Sequence, residues 1–388
     1  MRTQNKGTRS SHSRITTIAI AVASSFAMTP AWAADTGIGN GVAYGTGSNA
    51  PKAENVAIGK GATISYSGGV GQPSTGDIVI GGGAHTNNYI DQGGGIAIGS
   101  NSFVENMVGR LEKYFDFNQA GYDKTSGVPS GLPKDPTKMV TGIAIGQNTY
   151  ARSGSVMFGT HNYKGDLGDV AVDSASTKAQ NMSVFSTTLG ANSYSNGLFS
   201  TVTGAYSIAS SDYGGGVNSV LKNFGATITG SLNSIESATA SSTYSGIANS
   251  IVGTANRTFN SNGSLIFGAG NEITNSVADI AAPPSGWDSA KDLANTLRTA
   301  VKESNGGGAT LAIGGGNKAD YTQRSQMIGV KNSITGTEGN VSTNNMVNGY
   351  ANKASNVNNV GIGGVFRSTR TGNCLLYTSP SPRDKRQS

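Results

Sequence analysis

The sequence predicts an all-β protein, a parallel β-roll (β-solenoid) in which short repeats stack along one axis. The 388 residues include 57 glycines, and only 13% of the residues are charged, whereas a quarter is usual. Hydrophobic residues make up 36% and aromatic residues 7%, too little apolar surface for several thick cores. Disorder fits poorly, because the formal net charge is only +6 and disordered chains usually combine low hydrophobicity with high net charge. A repeated phrase completes the case for stacked β repeats.

The phrase is an apolar residue, any residue, a second apolar residue and then a glycine, which we call the anchor glycine. Weaker copies end at Gly190, Gly204, Gly230, Gly253 and Gly349. Several anchor glycines are close to 14 residues apart, as between Gly190 and Gly204. The clear copies supply the predicted core and turn residues, which are Val56, Ile58 and Gly59; Ile78, Ile80 and Gly81; Ile96, Ile98 and Gly99; Ile143, Ile145 and Gly146; Val156, Phe158 and Gly159; Leu265, Phe267 and Gly268; Leu311, Ile313 and Gly314; Ile328 and Gly329; and Ile362 and Gly363.

Each copy is interpreted as a strand followed by a tight turn. Val56 and Ile58 point to one face of a strand, so we expect them to enter the core while Ala57 faces the other way. The anchor glycine permits a positive φ at the turn. A second short strand with small apolar residues, such as Ala62 and Ile64, follows a polar pair. Each repeat is therefore predicted to be strand, turn, strand, turn.

A unit of about 14 residues cannot bury its own apolar face, so it must stack on its neighbours. About 15 recognisable rungs at roughly 4.8 Å each predict a rod roughly 70 Å long. Two short strands per rung leave little interior. A second apolar face is then expected, and self-association is the simplest way to cover it.

The first 33 residues have the pattern of a secretory signal. Arg2, Lys6, Arg9 and Arg14 precede an apolar stretch over 15–27. A transmembrane anchor is the alternative, but about 13 apolar residues are fewer than the roughly 20 that a span needs. Export with cleavage is therefore expected. The cleavage residues would be Ala31, Ala33 and Ala34, with the mature chain beginning at Ala34.

The other end of the chain departs from the repeat pattern. Residues 374–388, from Cys374 onward, resemble the translation of a transposase adapter used in preparing sequencing libraries, and we expect them not to be native. A natural Pro/Ser-rich tail is the alternative. Residues 366–373 would then be the truncated end of the native sequence.

Between these ends we expect an N-terminal lead-in at 34–54 and the roll at 55–365. Three insertions interrupt the roll, at 105–140, 163–183 and 279–309. The first and third carry apolar residues at helical spacing, which predicts two helical insertions. The third includes Trp287 and Leu297. We expect these two side chains to pack the helix onto the roll, with ligand contact a second hypothesis for its exposed remainder.

The repeated phrase, in register after a signal sequence, resembles the YadA-like head of trimeric autotransporter adhesins, over about residues 35–365. The resemblance implies a left-handed parallel β-roll, a homotrimer, and attachment to host matrix or cells, other bacteria or surfaces. The partners would be further copies of the chain and an unidentified extracellular-matrix or cell-surface ligand. It also implies type V secretion to the outer membrane of a Gram-negative bacterium. Membrane attachment would come only through a C-terminal anchor missing here.

The sequence predicts no catalytic, cofactor-binding or metal-ligating residues. His85 and His161 are far apart in the repeat scheme, and Asp77, Asp91 and Asp212 form no repeated pair of the kind that metal binding or acid–base catalysis needs. No enzyme or phosphate-binding motif is present. A secreted β-solenoid enzyme acting on polysaccharides is the alternative function, although such enzymes need a groove with clustered charges.

The apparent basicity belongs to the two ends of the chain. Without the signal and the tail, Lys plus Arg falls to 28 − 4 − 3 = 21 and Asp plus Glu to 22 − 1 = 21. The mature chain is then neutral, so nucleic acid is not an expected partner. The single cysteine, Cys374, lies in the tail, so no disulfide is expected.

Overall fold

The computed structural model describes residues 37–67, 76–89, 94–106, 141–160 except 153, 185–211 except 196 and 198, 223–237, 245–277, five residues between 295 and 302, 309–364 and 369–371. Within these residues the fold is almost entirely β, and the strands pair in parallel. This confirms the prediction of an all-β fold with long parallel sheets, consistent with a β-roll.

One sheet, which we call the long sheet, runs through the described part of the roll and contains fifteen strands. They pair in the order of the chain and are β1 (Val42–Tyr44), β2 (Val56–Ile58), β4 (Ile78–Ile80), β6 (Ile96–Ile98), β8 (Ile143–Ile145), β10 (Val156–Thr160), β11 (Thr187–Ala191), β13 (Thr201–Thr203), β15 (Thr227–Ser231), β17 (Ser250–Thr254), β19 (Leu265–Ala269), β21 (Leu311–Gly315), β24 (Gln326–Val330), β27 (Met346–Tyr350) and β29 (Gly361–Gly364).

The remaining strands follow the long-sheet strands along the chain. The four-stranded sheet is β3 (Thr63–Ser67), β5 (His85–Tyr89), β7 (Phe103–Asn106) and β9 (Tyr150–Arg152). The nine-stranded sheet is β12 (Tyr194–Ser195), β14 (Ile208–Ser211), β16 (Ser234–Ser237), β18 (Arg257–Phe259), β20 (Glu272–Thr274), β22 (Lys318–Asp320), β25 (Ser333–Thr335), β28 (Lys353–Ser355) and β30 (Thr369–Thr371). A fourth sheet has two strands, β23 (Thr322–Gln323) and β26 (Ser342–Thr343). We call the four- and nine-stranded sheets the short sheets.

The anchor glycines lie in register at the corner where the long sheet ends. Gly253 pairs with Gly268, and Gly268 pairs with Gly314. A Cβ on Gly268 would stand 1.9 Å from the carbonyl oxygen of Gly314, and the φ of Gly268 is +136°. Any side chain there would both strain the backbone and collide with the next rung, so the corner requires glycine.

The predicted core residues of the long sheet face outward, and this part of the sequence-based prediction is wrong. The middle residue of each strand is the one that is buried, as with Ala57, Val79 and Ile266, each 0% exposed. Its two apolar neighbours lie on the opposite side of the sheet. The outward-facing residues are Val56, Ile58, Ile78, Ile80, Ile96, Ile98, Ile143, Ile145, Val156, Phe158, Leu265, Phe267, Leu311, Ile313 and Ile328.

The physical reason is the thin interior. A period of two shows that two residues share a face, but it does not show which face is covered. The inner positions of the long sheet hold residues such as Ala97, Val202 and Met327, all 0% exposed. Val202 and Met327 belong to one core cluster with inner residues of the nine-stranded sheet, such as Ala209 and Ile273. Where the middle residue is alanine, as on β2 and β6, the bulkier pair of the phrase therefore lies outside.

The last copy of the phrase is displaced by one residue from its predicted register. Met346 pairs with Gly361, Val347 with Ile362 and Gly349 with Gly364. Ile362 is therefore an inner residue, 7% exposed, as predicted for the core. Gly363 pairs with Asn348 and lies beside the outward side of the sheet, so it is not the anchor glycine.

A row of buried asparagines follows the anchor glycines in the second half of the roll, each three residues after its glycine. The backbone amide and Nδ2 of Asn271 both donate to Oδ1 of Asn256, at 3.0 Å each, and Nδ2 of Asn271 also donates to the Gly314 carbonyl, at 2.8 Å. The row is Asn233, Asn256, Asn271, Asn317, Asn332 and Asn352. Each such bond stabilises the fold by about 1 kcal/mol net, and the row ties successive corners together.

Most of the insertions and both chain ends lie outside the described residues. This applies to the signal at 1–33, to the insertion at 163–183 and to the tail at 374–388. In the first insertion only Glu105 and Asn106 are described, and both belong to β7. In the third, the described residues between 295 and 302 are helical, whereas Trp287 and Leu297 lie outside. The two helical insertions therefore stay a prediction.

Two glycines of one turn allow a matched test of the corner. Gly268→Ala should lower the free energy of unfolding by about 4 kcal/mol or more, because the Cβ collides with backbone and the φ is restricted to glycine. Gly270→Ala should cost only about 1 kcal/mol, since its nearest neighbour lies 3.9 Å away and Ala255 occupies the same place one rung earlier with φ of +55°. Chemical denaturation of both variants measures the difference. Equal losses would contradict the role assigned to the Gly314 carbonyl.

Candidate interaction surface

The outward side of the long sheet carries the most apolar described surface of the protein. We call this side the outer apolar face. It consists of the first and third residue of each phrase on the fifteen strands. Phe158 is 51% exposed, Phe267 42% and Leu265 41%. Large apolar side chains at such exposures gain little from burial within their own chain.

The outer apolar face extends from the first strands to the other end of the long sheet and is interrupted at β13 and β15, where both outward residues are threonines. Val42 and Tyr44 begin it, and Met346, 46% exposed, lies near its other end. Fifteen strands at about 4.8 Å spacing give a strip about 67 Å long. Exposed apolar patches on monomeric soluble proteins rarely exceed a few hundred Å², and larger patches mark interaction surfaces. The outer apolar face therefore has the extent and character of an interface.

The outward side of the nine-stranded sheet has the opposite character. Arg257 bonds Glu236 at 2.9 Å and Glu272 at 3.1 Å, and Lys318 lies 3.6 Å from Glu272. The two carboxylates raise the pKa of the Arg257 guanidinium above its ordinary range. Exposed pairs of this kind add little stability, but they make this side of the roll charged and solvated. The roll thus has one apolar and one charged side.

A buried carboxylate lies inside the N-terminal part of the roll. Asp77 is 0% exposed. Its Oδ1 accepts bonds from Nδ2 of Asn88 at 3.2 Å and from the backbone amide of Gly95 at 3.0 Å, and its Oδ2 accepts from the Tyr66 hydroxyl at 3.0 Å. Burial raises the pKa of Asp77 despite these bonds. Both carboxylate oxygens are engaged by donors of the protein itself, which fits a structural role.

A second cluster of buried polar side chains lies on neighbouring strands of the four-stranded sheet. Glu105 and Arg152 are register partners on β7 and β9 and are 4% and 2% exposed. The Tyr150 hydroxyl donates to Glu105, and burial raises the pKa of Tyr150 well above its ordinary value. The register places these opposite charges on adjacent strands. We assign this group to packing between neighbouring rungs.

The acids and histidines noted in the sequence do not come together in the described structure. His85 lies on β5, half-buried, and its ring stacks on Phe103 at 3.9 Å between centroids. His161, Asp91 and Asp212 lie outside the described residues. Among the described residues, no group of three or more His, Cys, Asp or Glu side chains could hold a metal ion. None of the helical segments that are described has the length and hydropathy of a membrane span.

The sequence-based reasoning missed two features that shape this surface. The buried asparagines had a visible signal, because Gly-x-x-Asn recurs from Gly230 to Asn352. The outward direction of the large apolar residues had a weaker signal. The middle residue of the phrase is often alanine, as at Ala57, Ala97 and Ala144, and a thin roll accepts alanine inside more easily than isoleucine.

Comparison of the chain with known protein families, with curated proteins and with solved structures finds no match.

Asp77→Asn should raise the midpoint of thermal unfolding at pH 7. Because the pKa of Asp77 is raised in the folded state from its ordinary value of 3.8, the folded protein binds the proton more tightly than the unfolded chain. The associated stability is complete below that ordinary value and is lost as pH rises toward the folded pKa. The amide removes this loss; its Oδ1 can still accept from the Gly95 amide, and its Nδ2 can donate to the Tyr66 hydroxyl.

The measurement is the unfolding midpoint of both proteins between pH 4 and pH 7. The advantage of Asp77→Asn should shrink toward pH 4. Glu54→Gln, at an exposed position nearby, is the control for the loss of one negative charge and should show no such trend. A variant that is less stable than wild type at pH 7 would contradict the account of Asp77.

Proposed function

We propose that this chain is the head of a trimeric surface adhesin of the autotransporter type, a structural and binding module without catalytic activity. The observation that carries the proposal is the outer apolar face, which a single chain leaves exposed on most strands of the long sheet. The repeated phrase and its resemblance to YadA-like heads add support. On that resemblance we take the roll to be left-handed, with about 14 residues per turn.

The chemistry of the two sides of the roll favours one mode of assembly. If the outer apolar faces of three copies pack against one another about a common axis, the apolar strip is covered. The charged ladder of Glu236, Arg257 and Glu272 then stays in solvent. Stable protein interfaces bury roughly 1,200–2,000 Å² in total, an area that a strip of this length can supply. Closed rotational symmetry also prevents growth into an open fibre.

In this proposal the chain is exported and displayed on the outer membrane of a Gram-negative bacterium. There it attaches the cell to extracellular matrix, host cells, other bacteria or surfaces. Three identical copies present the same weak contact several times, and linked contacts bind far more tightly than one alone. A C-terminal anchor would supply the membrane attachment, while the head would supply the binding surface.

Solution mass and binding test the proposal together. Sedimentation equilibrium of the purified protein should give three times the mass of the chain. The trimer should bind immobilised matrix proteins or whole cells without chemical turnover. A monomer at micromolar concentration would overturn the assembly, and release of sugar fragments from a polysaccharide would favour an enzyme instead.

Adjacent residues of one strand separate assembly from folding. Phe267→Asp places a charge on the outer apolar face, so the trimer should dissociate into folded monomers with unchanged circular dichroism. Ile266→Asp places the charge at a position that is 0% exposed, so the rung itself should unfold at a cost of several kcal/mol. Lys353→Asp, on the exposed side of the nine-stranded sheet, is the control and should change neither property. If Phe267→Asp left a trimer intact, the outer apolar face would not be its interface.

A further inference from the structure

A row of left-handed residues runs along the roll beside the anchor glycines. Each member lies two residues after its anchor glycine, and from Gly61 onward its amide donates to a carbonyl of the previous rung, as that of Leu232 does to Ala205 at 2.9 Å. We call this row the corner row. It has positive φ throughout and comprises Gly47, Gly61, Gly83, Asn101, Asn148, Asn192, Tyr206, Leu232, Ala255, Gly270, Gly316, Lys331 and Ala351.

Tyr206 and Leu232 are the two large apolar members of the corner row. Their φ values are +50° and +60°, and each residue is 58% exposed. A bulky residue in this conformation costs about 1–2 kcal/mol, which glycine or asparagine largely avoids. Burial within the chain does not compensate this cost. The bulky positive-φ residues Phe185 and Phe199 differ, since they are half-buried and stack at 5.7 Å.

The same two rungs are unusual on the outer apolar face. On β13 and β15 both outward residues are threonines, namely Thr201, Thr203, Thr227 and Thr229. We call these four residues the threonine section. On β10 and β19 the corresponding positions hold Val156 with Phe158 and Leu265 with Phe267. The outward side chains are therefore small on the same two rungs that carry the large corner residues Tyr206 and Leu232.

We propose that Tyr206 and Leu232 of one copy dock on the threonine section of an adjacent copy. This inference rests on the trimer proposed above. In an assembly with rotational symmetry equivalent rungs lie at the same height, so the corner of one copy meets the corresponding rungs of the next. Such a contact joins the corner of one copy to the outward side of the next, and three such contacts close the ring of the trimer.

Shape and chemistry both favour Tyr206 and Leu232 of a second copy as the residues that cover the threonine section. Threonines leave more room than Leu189 and Val252 on the adjoining strands β11 and β17, and the large corner side chains fill that room. The threonine section carries no charge, so covering it with Tyr206 and Leu232 leaves no unpaired charge buried in the interface. The Tyr206 hydroxyl gains threonine hydroxyls as hydrogen-bond partners, which suits a residue with an apolar ring and a polar tip. The contact would also fix the height of one copy relative to the next.

The first test uses opposite effects on folding and assembly. The double variant Tyr206→Asn and Leu232→Asn places at both corners a residue that suits positive φ, as Asn101 and Asn148 do. The single chain should be as stable as wild type or more so, because the backbone strain is relieved. The trimer should dissociate at a concentration at least tenfold higher. Lys331→Asn, in the same row, is the matched control and should leave assembly unchanged.

The second test identifies the contact directly. A photoreactive benzoylphenylalanine at position 206 of the full-length protein should yield a crosslinked dimer band on illumination. Its linked peptide should map to 187–252 of a second copy. The same group at position 331 should not crosslink to that segment. Crosslinking does not depend on how the double variant folds.

The outcomes separate this inference from the proposed function. A wild-type protein that is monomeric would overturn both. A wild-type trimer whose dissociation is unchanged in the double variant would overturn the docking of Tyr206 and Leu232 and leave the trimer standing. A crosslink from position 206 to another segment of the partner copy, or no intermolecular crosslink, would do the same.

Discussion

The close approach of one corner to the next is the constraint on which the rest of this structure depends. At each anchor glycine the carbonyl of the following rung occupies the place where a side chain would begin, 1.9 Å from a Cβ at both Gly268 and Gly314. The corner can turn this tightly only because no Cβ is present. Since the same carbonyls accept the buried asparagine amides, as Gly314 does from Asn271, register and corner geometry support each other.

This tight corner brings the long sheet close to the short sheets and so limits what the interior can hold. Positions such as Ala57 and Ala312 are filled by a single methyl group, and even the larger Ile266 is fully enclosed. The bulk of the apolar surface therefore has to lie on the other side of the long sheet. A roll of this kind cannot hide all of its hydrophobic residues by folding alone, and the trimer proposed above would cover those that remain exposed.

The roll is also not uniform along its axis. Its N-terminal part holds buried ionisable groups, Asp77 and the Glu105–Arg152 pair, whereas its second half is held by neutral asparagines such as Asn256 and Asn332. Burying a charge costs more than burying an amide, so the two halves should respond differently to pH. The rungs of Tyr206 and Leu232 lie between these parts, where the outward surface changes from aliphatic to hydroxylated and back.

The sequence by itself determined the class of fold and the place of its turns, because glycine at a tight corner and a period of two along a strand are local properties of the chain. It did not determine which side of the long sheet is the inside. Val56 and Ile58 share a face in either arrangement, and only the distance between the two sheets decides that Ala57 fits between them. The sequence also did not determine which glycine ends the last copy of the phrase. Gly364 takes that place, and not Gly363, because it is the residue that pairs with Gly349. The outer apolar face is likewise a tertiary fact, because it arises only when rungs distant in sequence are stacked.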